Sequence, residues 1–363
     1  MLIRTSETNV VYMGLSAVRS TASEGPNLSR SKGLTSLPSS PVPSDSTGQA
    51  PNSEGRSGLD HLLTIPRGIA QVDFQSNYWT GLVFLIALFV GGWQFGVFAL
   101  LGTVVATLTA YLFGVSWQKR VSPGLEGFCG TLIGVSLVLY LDIRWMTVAL
   151  VILGAIAGSV LTSAMNVVLT PYDLPTFTAP FCVITTVMVI GGPSFSRVWA
   201  EHAGSAPPSA TAPGTEMTWT YFWKGAFNGV GQVFFQNEWY VGVIFLIGLF
   251  IAGWRIGLVA FVSSLIGLLT GWALGAQAAD LGAGLYGYNS VLTGLALFGT
   301  FVAVSSAGAV FAVIGTISAA GLTAGIGNLF EVVGGHTLTW PFVLVSWVFL
   351  AAVPMFNKLK RAG

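Results

Sequence analysis

Two short segments, 161 residues apart, place a glutamine and a phenylalanine in the same pattern. Gln71 and Phe74 belong to QVDFQSNY, and Gln232 and Phe235 belong to QVFFQNEW. On a helix, residues i and i+3 share a face, so each segment offers one amide beside one flat ring. A single glutamine in an apolar segment is most simply explained by a hydrogen bond between helices. The repetition of the pair, each time beside an aromatic ring, favours the wall of a pore.

A second pair of segments is rich in glycine. GLEGFCGTLIG occupies residues 124–134, and GLYGYNSVLTG occupies residues 284–294. Each glycine weakens a helix by about 1 kcal/mol relative to alanine, so such stretches favour a bent or half-spanning helix. Ordinary helix packing through small residues is the alternative. One face of each stretch carries an aromatic and an aliphatic residue at spacing i, i+4, namely Phe128 with Leu132 and Tyr288 with Leu292.

A threonine precedes a proline by two residues in TFTAPF and again in TLTWPF. Proline fits the first turn of a helix, so Thr178 and Thr339 are expected near helix N-termini. Their hydroxyls could simply cap those helices. They could also offer oxygen atoms to a solute, and both roles are compatible if the two helix ends meet inside the membrane.

Charged residues do not repeat in the same way. Glu126, Asp142, Asp173 and Glu331 have no counterpart of like charge in the other half of the chain. Selection of cations, voltage sensing and proton relay all depend on such charges, so they are poorly supported. The repeated residues instead suit a small, neutral, planar solute that is rich in N–H donors.

The elements that position these residues are predicted to be membrane helices. Hydrophobic residues make up 53% of the 363-residue chain and charged residues 8%, against about 25% charged in soluble domains. The fold is therefore predicted to be an all-α polytopic membrane protein. A net charge of +1 gives no indication of nucleic-acid binding. The candidate spans are 79–98, 99–115, 128–141, 145–169 and 179–192, followed by 239–259, 260–276, 289–304, 306–330 and 340–356.

The two sets of five spans indicate an internal duplication. Residues 71–96 align with residues 232–257 with 13 identities in 26 positions, and the identities include Gln and Gly-Trp as well as apolar residues. An odd number of spans per half predicts inverted repeats with the pore between them and both chain termini on one side. The basic ending NKLKRAG and the N-terminal arginines place those termini in the cytoplasm and the protein in the plasma (inner) membrane.

The chain is accordingly divided into five parts. A Ser/Pro/Gly-rich segment at 1–60 is predicted to be disordered. The first membrane repeat follows at 61–195, a polar linker at 196–225, the second repeat at 226–357 and a basic C-terminal tail at 358–363.

Taken together, the motifs resemble those of the urea transporter family over residues 65–356. The resemblance implies passive, channel-like urea permeation in each protomer of a homotrimer. The three histidines are scattered along the chain, so no metal site is expected, and no cofactor is expected either. The resemblance also implies two inverted halves, with about ten transmembrane helices and two re-entrant pore helices in all. By motif, Phe74, Phe128 and Leu132 would line one narrow slot, and Phe235, Tyr288 and Leu292 the other. Gln71 and Gln232 would join backbone carbonyls in ladders of oxygen atoms, and Thr178 and Thr339 would form the constricted middle.

The chain departs from the family pattern at several positions. Cys129 stands where the family usually has the asparagine that is present here as Asn289, so the first pore helix is expected to be held less firmly. Ser290 stands where glycine is usual, and Tyr288 adds a hydroxyl to its slot. His336 and Thr337 replace the usual Leu-Pro.

Three other functions compete with urea permeation. The channel could instead serve short amides, ammonia or water. A membrane-embedded enzyme would need a nucleophile or a metal, and neither Cys129 nor Cys182 has a His or Lys neighbour in sequence. A purely structural membrane protein would not depend on the hydroxyls of Thr178 and Thr339.

Overall fold

The computed structural model describes residues 58–195, 197, 214 and 216–362. Over these ranges the chain is helical, and its only β-type pairing is an isolated antiparallel bridge between Val302 and Arg361. The first half contains α1 Gly58–Ala70, α2 Tyr78–Gly91, α3 Trp93–Leu112, α4 Phe128–Tyr140, α5 Trp145–Leu169 and α6 Ala179–Gly191. The second half contains α7 Trp219–Gly231, α8 Trp239–Ala252, α9 Trp254–Ala273, α10 Ala278–Gly282, α11 Tyr288–Leu295, α12 Ser306–Glu331 and α13 Trp340–Ala352.

The helices of the two halves start at corresponding positions. Tyr78 and Trp239, which begin α2 and α8, are 161 residues apart, and so are Ala179 and Trp340, which begin α6 and α13. The correspondence extends to single 3₁₀ turns, at Gln71–Asp73 and Gln232–Phe234. Equivalent positions of the two halves can therefore be compared directly.

The lengths of the helices fit a protein that crosses a membrane several times. Four are long and apolar enough to span one, and they cover Trp93–Leu112, Trp145–Tyr172, Trp254–Ala273 and Ser306–Glu331. Two bent pairs add a possible span each, since α1 and α2 meet at 79° and α7 and α8 at 72°. The polytopic helical architecture predicted from composition is thus confirmed.

Two of the predicted spans were wrong as continuous segments. The segment 79–98 is interrupted at Gly92, where α2 ends and α3 begins, and 239–259 is interrupted in the same way at Gly253. At both glycines the backbone is extended, with φ of 160° and 170°. The apolar pattern runs through the break because both flanking helices are apolar, so hydropathy alone did not reveal it.

The helices extend further than expected at the edges of the repeats. Residues 1–57 of the segment predicted to be disordered lie outside the described residues, and α1 begins at Gly58. In the predicted linker, α7 already begins at Trp219, while 196, 198–213 and 215 are outside the described residues. The tail is also not a free extension. Ala303 N–H donates to Lys360 O (2.9 Å) and Ala362 N–H to Phe301 O (3.0 Å), so the tail pairs with the loop before α12.

The glycines of the first glycine-rich stretch serve two different purposes. Gly124 lies in a turn at φ +88°, and a Cβ there would be 2.5 Å from the Gly68 nitrogen. Gly130 lies inside α4, where a Cβ would be 2.2 Å from the Gly102 carbonyl oxygen of α3. The helix that follows the turn has only 13 residues, or about 20 Å, which is too short to cross a bilayer alone.

The packing around Ser290 explains why a serine fits where the resemblance predicts a glycine. Ser290 occupies the position equivalent to Gly130, and its hydroxyl donates to the Thr316 carbonyl of α12 (3.0 Å). Gly267 of α9 faces Ser290 closely, whereas Ala106 of α3 is the residue beside Gly130. A larger residue on one helix is thus matched by a smaller one on its neighbour.

We expect Gly130→Ala to destabilise the protein by about 1–3 kcal/mol, because the added methyl group forces α4 away from α3. Thermal unfolding in detergent would show this as a lower Tm. The matched control is Ser290→Ala at the equivalent position, which removes one hydroxyl without adding volume and should cost about 1 kcal/mol or less. A Tm for Gly130→Ala equal to that of the unsubstituted protein would show that the helices are not in tight contact here.

Candidate functional site

The candidate site is built around two helix starts that face each other. Thr178 precedes α6 and Thr339 precedes α13, and neither side chain caps its own helix. Their hydroxyl oxygens are instead 2.6 Å apart and form a hydrogen bond between the two halves of the chain. Both threonines are buried, so the contact lies in the interior.

The thiol of Cys182 adds an asymmetry to this pair. Cys182 lies in the first turn of α6, and its Sγ is 3.1 Å from Thr339 Oγ1. The equivalent residue of α13 is Val343, which has no polar atom in its side chain. The middle of the site therefore contains two hydroxyls and one thiol, all without formal charge.

The two glutamines are fixed by the glycine-rich turns. Gln71 Nε2 donates to the Pro123 carbonyl and Gln232 Nε2 to the Ala283 carbonyl, each over 3.0 Å. These bonds run to turns and not to another helix, but they satisfy the amide N–H as the simpler explanation required. Each bond uses one of the two N–H groups of the amide, and the carboxamide oxygen of each glutamine can act as an acceptor.

Phe74 and Phe235 do not share a helical face with their glutamines, contrary to the spacing argument. Each phenylalanine ends a 3₁₀ turn in the left-handed conformation, with φ of 63° at Phe74 and 61° at Phe235. This conformation is uncommon for a bulky residue and costs about 1–2 kcal/mol. The same strained conformation in both halves points to a requirement on where the rings lie.

Each of these rings lies against the opposite half of the molecule. Phe74 contacts Phe301 and Phe342, with ring centroids 5.7 and 6.0 Å apart. Phe235 contacts Tyr140 and Phe181 at 6.0 and 6.1 Å. Tyr140 and Phe181 are the first-half equivalents of Phe301 and Phe342, so the two sets of contacts correspond pair by pair.

The other predicted lining residues lie at the starts of the short helices. Phe128 begins α4 and Tyr288 begins α11, while Leu132 and Leu292 one turn later are fully buried. The Tyr288 hydroxyl reaches the turn before Thr339 and donates to the Leu338 carbonyl (2.7 Å). Tyr288 is thereby brought next to the threonine pair.

Asn289 holds the second half more firmly than Cys129 holds the first. Its Nδ2 donates to Thr323 Oγ1 (3.3 Å) and the Leu338 carbonyl (3.4 Å), and its Oδ1 accepts from the Phe342 N–H (3.2 Å). At the equivalent position, the hydrogen bond of the Cys129 thiol is to the Phe177 carbonyl, over 3.9 Å. A thiol is a weak donor, so the turn before α6 is held less firmly than the turn before α13.

Sequence reasoning missed the aromatic residues that complete the site. Phe177, Phe301 and Phe342 surround Phe74, and the Phe177 ring lies 5.3 Å from Phe301 and 4.8 Å from Phe342. Phe342 and Phe181 are in the repeated threonine motifs, so their repetition was a usable signal. Phe301 and its equivalent Tyr140 had none, because they lie outside any repeated motif.

Asp73, inside the first glutamine motif, was also missed. Its side chain is 1% exposed, and neither carboxyl oxygen has a hydrogen-bonding partner among the described residues. The equivalent residue is Phe234, which stacks on Phe245 at 4.5 Å. An acid thus occupies a position where the other half has an apolar ring.

Comparisons with known proteins agree on one family. The family model described as "Urea transporter" matches residues 62–354. The chain is 31% identical over 299 residues to urea transporter 1 of Ovis aries, covering 80% of this chain and 77% of the sheep protein. It is 30% identical over 298 residues to urea transporter 1 of Mus musculus, with the same coverage.

We expect Asp73→Val to stabilise the protein, because a buried polar group without a partner costs about 1–3 kcal/mol. The Tm in detergent should rise. The half-buried Asp280 provides the control. Asp280→Val also removes one carboxyl group, but that group is partly exposed to solvent, so its removal relieves a smaller desolvation penalty. A fall in Tm for Asp73→Val would mean that the carboxyl group has a stabilising partner.

Asn289→Ala should destabilise the protein by about 1–3 kcal/mol, because it leaves the buried backbone N–H of Phe342 without its acceptor and removes one of the two donors to the Leu338 carbonyl. Cys129→Ala, the matched change in the first half, should cost less. The two Tm values measured side by side test this order, and an equal effect would contradict it.

Proposed function

This chain belongs to the urea transporter family, and on that basis we propose that it lets urea cross the membrane passively along a narrow path between its two halves. The observation that carries the proposal is the buried hydrogen bond between Thr178 and Thr339. It brings neutral oxygen atoms from both halves to one interior point. Membership of this family makes the protein a transporter and not an enzyme.

The chemistry of urea matches this arrangement. Urea is flat, uncharged and carries four N–H donors around its edge, so its faces can lie against rings while its edges meet oxygen atoms. In the proposed path, Phe74, Phe128 and Leu132 form one slot and Phe235, Tyr288 and Leu292 form the other. Oxygen atoms of Gln71, Gln232 and nearby backbone carbonyls replace the hydrogen bonds that urea loses on leaving water.

The energetics favour weak binding and fast transit. A neutral hydrogen bond exchanged for one with water contributes only about 1 kcal/mol. The threonine and glutamine groups carry no charge, so a passing urea meets no strong electrostatic trap. Glu126, which lies within the first glycine-rich stretch, is paired with Arg120.

The membrane arrangement is part of the proposal. The protein is a multi-pass membrane protein, and we propose that its halves are inverted repeats related across the path, with about ten spans and two re-entrant pore helices. The offset of 160 or 161 residues between the starts of equivalent helices supports the repetition of the two halves, and the odd number of predicted spans in each half supports their inversion. The basic residues near both chain ends support cytoplasmic termini in the plasma (inner) membrane.

We also propose that the protein acts as a homotrimer in the lipid bilayer, with one path in each protomer. The resemblance in motif to other urea transporters supports the trimer. Large apolar side chains such as Trp145, Val167 and Leu153 are exposed on the outer surface, where lipid or a neighbouring protomer would cover them.

Flux measurements test the function. The protein in liposomes should conduct urea well above empty liposomes in stopped-flow light scattering, at a rate unaffected by proton or sodium gradients. A rate that requires either gradient would exclude passive permeation. Formamide, acetamide and methylurea, tested in the same assay, would measure the selectivity.

Thr178→Val and Thr339→Val should each lower urea flux roughly tenfold, because a solute N–H would lose its acceptor at a cost of about 1–3 kcal/mol. Folding is checked by Tm and gel filtration. Thr109→Val is the control, since that hydroxyl bonds to the Val105 carbonyl within its own helix. Unchanged flux in both valine variants would remove the threonine pair from the path.

A further inference from the structure

Two backbone carbonyls flank the threonine pair, and they are not equivalent. Phe177 and Leu338 immediately precede Thr178 and Thr339, and both adopt the left-handed conformation, with φ of 48° and 46°. The matching backbone geometry places the two carbonyls in the same relation to their threonines. Any difference between them therefore arises from the side chains that surround them.

The Leu338 carbonyl is fully occupied by its own half. It accepts from the Tyr288 hydroxyl (2.7 Å) and from Asn289 Nδ2 (3.4 Å). A carbonyl oxygen has two lone pairs, so these two donors use its capacity. A solute could reach this oxygen only by displacing one of them.

The Phe177 carbonyl has far less competition. Phe128 stands in the place of Tyr288 and has no hydroxyl, and Cys129 stands in the place of Asn289. Within the described residues, the one hydrogen bond to this oxygen is from the Cys129 thiol over 3.9 Å. It is therefore a nearly free acceptor next to Thr178, in a residue whose ring contacts that of Phe74.

We propose that the Phe177 carbonyl is the backbone oxygen that accepts an N–H of urea beside the threonine pair, and that Tyr288 withholds the Leu338 carbonyl from the same role. The inference rests on the proposed function and adds a specificity-determining role for Tyr288. The path then has one strong carbonyl site at its centre, on the first-half side, instead of two.

Reciprocal substitutions at the equivalent positions test this. Tyr288→Phe frees the Leu338 carbonyl from its shorter hydrogen bond, so urea flux in liposomes should rise about twofold or more, or saturate at a lower urea concentration. Phe128→Tyr places a hydroxyl near the Phe177 carbonyl, so flux should fall at least threefold. The double variant exchanges the roles of the two halves, and its flux should return towards that of the unsubstituted protein.

The double variant separates solute binding from simple support of the turn. If Tyr288 only stabilises the turn, Tyr288→Phe lowers or preserves the flux, and the double variant is no better than Phe128→Tyr; either result overturns the inference. Tyr286→Phe, which removes a hydroxyl two residues away, is the control and should leave the flux unchanged. Should Phe128→Tyr fail to fold, as shown by gel filtration, the rise or lack of rise with Tyr288→Phe decides the question.

The same measurements distinguish the two proposals. An unsubstituted protein that conducts no urea above empty liposomes overturns the proposed function and this inference with it. An unsubstituted protein that conducts urea, with both single variants equal to it, overturns this inference alone.

Discussion

The hydrogen bond between Thr178 and Thr339 is the contact on which the rest of the site depends. Each hydroxyl stands at the start of a short helix that enters the interior, and the contact requires both helix starts to reach the same point. The rings of Phe74 and Phe235 then lie against the opposite half. The Trp347 indole N–H adds a further link by donating to the Pro175 carbonyl (2.8 Å). The two halves are thus interlocked around a centre that contains no formal charge.

Strain at matched positions accompanies this arrangement. Phe74, Phe177, Phe235 and Leu338 are all left-handed, although none is glycine. At roughly 1–2 kcal/mol each, four such residues represent an appreciable cost that packing elsewhere must offset. In both halves this conformation lies at a sharp turn of the chain. Phe177 and Leu338 lie just before α6 and α13, and Phe74 and Phe235 end the 3₁₀ turns. A requirement on where rings and carbonyls lie explains why the strain is kept.

The two halves differ at positions where small differences in hydrogen bonding matter. Phe128 and Tyr288, Cys129 and Asn289, and Asp73 and Phe234 are equivalent positions with unlike chemistry. Such differences leave the helix pattern unchanged, because the exchanged side chains are similar in volume or lie at helix ends. They change which backbone oxygen is free at the centre, and so they bear on the solute more than on the fold.

The sequence by itself determined the membrane class and the repeated polar motifs, because hydropathy and repetition of residues are properties of the chain. It also indicated the family, which the comparisons confirm. Only the tertiary structure decided the breaks at Gly92 and Gly253, since apolar residues continue across both. The start of α7 at Trp219 lies inside the segment that its polar composition assigned to a linker. The tertiary structure also decided that Phe301 and Tyr140 join the rings, and that Tyr288 covers the Leu338 carbonyl. These contacts join residues far apart in the chain, and they depend on the angles at which helices meet, which local spacing does not encode.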